Sequence, residues 1–145
     1  MPSCPSLAQT VDVIKCKALK SALESQRGPW IVSVEQFFDG NDDPSSIGWN
    51  LPEHPGMDRF RDLLIGLLRH PEVQAVYARI VELDPGEFDC WPAADIIFVV
   101  GTILADELRN ILNPLEPYEV CSVSFAVPEI IKQRHRAPVV AARWG

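Results

Sequence analysis

Residues 93–100, Ala-Ala-Asp-Ile-Ile-Phe-Val-Val, decide the reading of the fold. The run is rich in β-branched and aromatic side chains and is apolar at both odd and even positions, with Asp95 the one exception. It predicts a strand covered on both faces, at the centre of a sheet. Gly101 ends it, and a helix is expected over about Leu104 to Asn113, with Leu104, Leu108, Ile111 and Leu112 inward and Asn113-Pro114 as its stop. On the N-terminal side, DPGEFDCWP is a turn-rich connector, and VQAVYARIVEL (73–83), which has both strand and helix character, reads as a second strand because a helix has just ended and Val, Tyr and Ile dominate it. Met57, Phe60, Leu63, Leu64, Leu67 and Leu68 make one apolar helical face, ended by His70-Pro71. WIVSVEQFF (30–38) reads as the opening strand, and PVVAARW (138–144) as a closing one. The segment 116–137 carries conflicting signals, a strand in YEVCSVSFAV and a short helix in PEIIKQRHR.

Residues 7–26 form an amphipathic helix in this reading, with Leu7, Val11, Ile14, Ala18 and Ala22 as its stripe, Leu19 and Leu23 widening it, and Ser6 as its cap. The organisation expected is an N-terminal helix over 1–28 followed by one α+β domain over 29–145. The order β-α-β-β-α-β predicts a ferredoxin-like arrangement, an antiparallel sheet with two helices on one face.

The 145-residue length suits one domain with a core, and 47% hydrophobic and 23% charged residues are globular proportions. No apolar run approaches the roughly 20 residues of a membrane span. MPSCPSLAQT lacks a basic region followed by an apolar block, so no secretory signal is expected. Cys4, Cys16, Cys90 and Cys121 are widely spaced and form no C-x-x-C pair, which fits reduced thiols in a cytoplasmic protein. The net charge of −7 is uneven: +2 over residues 1–28, −13 over 30–129 and +4 over the remainder. An acidic middle repels phosphate backbones, so neither nucleic acid nor membrane is an expected partner; a basic protein is, unless the charge serves only solubility.

The long polar stretch after the opening strand holds the densest set of candidate residues: Asp39, Asn41, Asp42, Asp43, Ser45, Ser46, Trp49 and Asn50. Asp39, Asn41 and Asp43 match the first three ligand positions of a D-x-[DN]-x-[DN]-G calcium loop. Pro44 then stands where the Gly belongs and Asn50 where the bidentate Glu belongs. The same residues equally suit a set of Asx and Ser turns, or a surface offering carboxylates and amides to a protein. Asp95 needs a partner, for which Arg59, Arg79 and Arg143 are available, or else it lines a binding site with Trp91. No nucleophile elbow or phosphate-binding glycine loop is present, and His54, His70 and His135 are isolated. Hence no catalytic residue, metal or cofactor is assigned. Trp30, Trp49, Trp91 and Trp144 fall at element ends, either closing the core or forming an aromatic interface.

PWIVSVEQFFDGNDDPSSIGWNL and WPAADIIFVV resemble a family of small uncharacterised bacterial proteins with the patterns FF-x-GN-x-D-x-x-SIG-x-NL and WP-x-x-D. Phe37, Phe38, Gly40, Asn41, Asp43, Ser46, Ile47, Gly48, Asn50 and Leu51 match the first pattern, and Trp91, Pro92 and Asp95 the second. The likeness covers about residues 29–115 and the last strand, and implies no particular reaction. Trp49 and Ala94 depart from the small or hydroxyl residues expected there. The leading expectation is a non-enzymatic interaction protein, of the immunity type, holding a basic protein through its acidic surface and loop 39–50. The alternative is a metal-dependent enzyme or small-ligand protein using Asp39, Asp43 and Asp95. A homodimer packing through the open sheet face is a third reading.

Overall fold

A computed structural model describes residues 12–26, 29–83, 91–123 and 127–144. The expected Ser6 cap, the first turn of the N-terminal helix and the 84–90 connector lie outside these residues. Five strands form one antiparallel sheet: β1 (Trp30–Ser33), β2 (Val73–Glu82), β3 (Ala93–Gly101), β4 (Glu119–Val123) and β5 (Val139–Arg143). Their spatial order is β1-β2-β3-β5-β4, so the AADIIFVV run lies at the centre. Helices α1 (Val13–Glu24), α2 (Val34–Phe38), α3 (Met57–Gly66), α4 (Ala105–Leu112) and α5 (Glu129–Arg134) complete the described elements.

The strand order departs from the ferredoxin-like expectation. β1 and β2 are antiparallel neighbours, with no strand between them, so the first half is not a split βαβ unit. Only β3-α4-β4, with β5 inserted antiparallel between its strands, has that form. The opening strand is also shorter than expected, and the physical origin of that is Ser33. Its hydroxyl accepts the Gln36 amide hydrogen bond (3.2 Å), capping α2 and ending β1 after four residues. Val34, Phe37 and Phe38 then fall at helical spacing and are all buried, while Glu35 and Gln36 face water. The fifth strand comes from 119–123, inside the segment whose signals conflicted.

Alternation along the strands splits the core into two layers. On one face Val76, Ala78, Ile97, Val99, Val140 and Ala142 meet side chains of α1, α2, α3 and α4, among them Phe37, Phe60, Leu64 and Leu108. On the other, Tyr77, Phe98, Val139 and Ala141 lie under Val127 and the Ile131 of α5. Helices therefore occupy both faces, not one. α1 joins the first layer through Cys16, Leu19 and Leu23, whereas Ile14 is 81% exposed and Ala18 and Ala22 face solvent. The inward side of α1 is thus rotated from the expected stripe, and Lys20 lies within it. Leu104 likewise stands at the α4 N-cap and points outward.

Candidate functional site

Loop 39–56 lies between α2 and α3, and its polar groups satisfy one another. Asp43 caps a 3-10 turn (Pro44–Ser46), accepting from the Ser45 amide (2.9 Å) and hydroxyl (2.6 Å). Its second oxygen accepts the Trp91 amide (3.0 Å), tying the loop to the residues that lead into β3. Asn41 is fully buried; its Oδ1 accepts from the Asp43 amide and its Nδ2 donates to Ser46 Oγ, both at 3.0 Å. The Ser46 hydroxyl donates to the Asp43 carbonyl (2.7 Å). These are the Asx and Ser turns anticipated for such a stretch, bonded well enough that burial is tolerated.

Charged side chains brace the outside of the loop. Arg61 from α3 donates to the Asn41 carbonyl (2.7 Å) and to the carboxylates of Asp42 and Asp58, both at 2.8 Å. Burial works against the charged guanidinium, but Asp42 and Asp58 offset it and the Arg61 pKa is raised. One guanidinium serves two carboxylates, so this triad keeps a net negative charge. Lys15 Nζ donates to Asp39 (2.6 Å), while the Asp12 amide donates to the Gly40 carbonyl (3.0 Å), seating α1 against the loop. The hydrogen bond to Asp39, and then its charge, raise the Lys15 pKa. The stabilisation from this pair is therefore full below the ordinary lysine value and lost only as pH rises through the raised one. At neutral pH the contact is intact.

The outer tip is a turn over Gly48–Leu51, closed by the Leu51 amide donating to the Gly48 carbonyl (3.0 Å). Trp49 and Asn50 occupy its two central positions and face water, Trp49 being 64% exposed. Beneath it Ile47 is fully buried, and its carbonyl is held by His54 Nε2 at 2.8 Å. His54 Nδ1 accepts the Gly56 amide (2.9 Å), so Nε2 carries the ring proton. The structure thus gathers Asp39, Asn41, Asp42, Asp43, Ser45 and Ser46 into one braced loop, joins Trp91 to it through Asp43, and leaves Trp49 and Asn50 outermost. Trp91 is wholly buried and fills the core behind the loop.

Asp95 is placed elsewhere. The β2–β3 register pairs Arg79 with Ile96 and Ile80 with Ala94, leaving Asp95 in a bulge. Its carboxylate is gripped by Arg79 through Nε (3.0 Å) and Nη2, settling its partner among the three arginines. Arg79 follows Tyr77 on the α5 side of the sheet, opposite the layer that holds Trp91. Asp39, Asp43 and Asp95 are thus committed to three separate sets of partners and do not converge on one ion.

Among the described residues, one group could hold a metal by proximity: His70, Glu72 and Glu107, whose ligand atoms lie within 4.8 Å of one another. Neither spacing nor motif signalled it, because it joins the turn before β2 to the first turn of α4. The Glu72 amide donates to His70 Nδ1 (3.1 Å), and His70 Nε2 lies 2.9 Å from Glu107. That pattern puts the proton of the neutral ring on Nε2, facing Glu107, where a metal would have to displace it.

A five-stranded antiparallel sheet sandwiched by helices, with a braced polar loop presenting a tryptophan, defines a helix-covered α+β domain without an assembled catalytic set among its described residues. The chain belongs to the family described as Uncharacterized protein YfbO family, matched over residues 14–144. The match takes in α1 from its second residue and the whole of 116–137 as well as the sheet. No curated protein and no solved structure matches the chain. No helix among the described residues is long and apolar enough to cross a membrane.

Proposed function

We propose that this protein is a non-enzymatic, cytoplasmic interaction protein that holds a basic protein partner against its acidic surface, with loop 39–50 at the contact, as an immunity protein holds a toxin. The observation that carries this reading is Trp49, left largely in water at the tip of a loop whose other polar side chains are mostly engaged with one another. An aromatic side chain of roughly 200 Å² in that state gains on the order of 3 kcal/mol when a partner covers it. Rigid presentation lowers the ordering cost of binding, and tryptophans of this kind are frequent interface anchors. Residues 35–66, which hold the loop and α3, contain seven acidic side chains against two arginines. Glu53 and Asp62 are exposed there and have no ion-pair partner among the described residues. The free thiol of Cys121 is compatible with a reducing compartment.

The contact charge in this reading differs from a row of free loop aspartates. Asp43 is buried, and Asp39 and Asp42 each have a cation from the chain itself. The negative field comes from the shared Arg61 triad and from Glu53 and Asp62. A charge-complementary interface of this type associates faster and tighter at low salt. Capture from the native lysate with wild type and with Glu53→Lys/Asp62→Lys tests it. The expected result is a basic protein held at low ionic strength, released by salt, and bound about tenfold more weakly by the reversed-charge variant. Retention indifferent to both salt and charge reversal contradicts the proposal.

A further inference from the structure

We infer that Trp49 is a stacking seat for an arginine guanidinium supplied by the partner; this rests on the reading of loop 39–50 as the contact surface and specifies what that surface recognises. The chain itself shows the pairing once. Tyr118, 71% exposed, has the Arg143 guanidinium carbon 4.8 Å from its ring centroid. Trp49 is a larger aromatic of similar exposure and has no cation or ring against it among the described residues. Arg61, the arginine that braces this loop, is held by Asp42, Asp58 and the Asn41 carbonyl, and so is occupied.

The turn fixes the backbone that carries the indole. Gly48 has φ +70°, and the Phe60 ring lies where a Cβ at Gly48 would fall, so α3 sits directly beneath the tip. Residues 35–66 around the tip hold seven acidic side chains against Arg59 and Arg61, so the segment that carries Trp49 is net negative and favours a cationic partner. Both Lys and Arg satisfy charge, but only guanidinium is planar and weakly hydrated enough to lie flat on the ring. An anionic or purely apolar partner surface gains nothing from this charge.

The probes are an oligoarginine and an oligolysine of equal length, titrated calorimetrically at low ionic strength into the intact chain. Wild type is expected to bind oligoarginine at least about fivefold more tightly than oligolysine. Trp49→Leu is expected to bring oligoarginine down to the oligolysine value, and Trp49→Phe to retain part of the difference. A circular-dichroism melt of each variant checks that it is folded. Equal affinities for the two peptides, or a preference that survives Trp49→Leu, overturn the arginine seat while leaving the acidic-surface reading in place. If neither peptide binds, the seat and the acidic contact surface both fall.

Discussion

Asp43→Ala is expected to destabilise the protein by about 3–5 kcal/mol, a fall of roughly 10–15 °C in melting temperature. Asp43 is 5% exposed and its carboxylate accepts three hydrogen bonds, from the Ser45 amide, the Ser45 hydroxyl and the Trp91 amide. Bonds to an ionised acceptor are about twice as strong as neutral ones, and truncation strands two backbone N–H groups that have no other partner among the described residues. Asp43→Asn keeps the shape and one carbonyl oxygen but offers an N–H₂ where the other oxygen accepted, so about half the loss is expected. Urea unfolding of the three proteins measures this. A shift below about 1 kcal/mol for Asp43→Ala means that the loop is not held through this carboxylate.

Gly48→Val comes next, at about 2–4 kcal/mol. A Cβ at this position lies 2.7 Å from Phe60 Cζ and 3.3 Å from Leu51 Cδ1, and the φ of +70° is strained for a β-branched residue. Phe60 cannot yield cheaply. It is fully buried, with the His54 ring 5.2 Å away on centroids and the Trp144 ring at 5.5 Å. Displacing the turn also moves Trp49, so the variant should lose partner binding even at temperatures where it remains folded. Thermal melts and binding on the same sample check both parts; wild-type values in both contradict the proposed packing beneath the turn.

Much of the fold was legible because it depends on local pattern. AADIIFVV is apolar on both faces and lies centrally, and the leucine face of α3 was equally plain; VQAVYARIVE carried helix as well as strand character and was decided by the helix end before it and by its Val, Tyr and Ile. The spacing Ser33-x-x-Gln36, followed by buried Val34, Phe37 and Phe38, also encoded the turn into α2, but the β-branched run before it outweighed that signal. The inner face of α1 was obscured because Lys20 is buried beside Cys16 and Leu19, while Ile14 faces water. Strand order was not legible: a pattern of elements does not say that β5 enters between β3 and β4. The Asx and Ser turns of loop 39–50 could be read from its composition. Its braces could not, since Arg61, Lys15 and Trp91 reach it across 20, 24 and 48 residues of chain. Those long-range contacts turn a row of aspartates into a framework and leave Trp49 as the exposed large side chain at its tip.

The most direct measurement is the affinity of Trp49→Ala for the basic protein recovered by capture, with its melting temperature taken alongside. An exposed side chain at a turn tip contributes little to folding, so the melting temperature should stay within about 2 °C of wild type. Affinity should fall at least about thirtyfold, the effect of removing an interface anchor worth roughly 2 kcal/mol. Undiminished affinity at unchanged stability would show that the tip of loop 39–50 is not where this protein meets its partner.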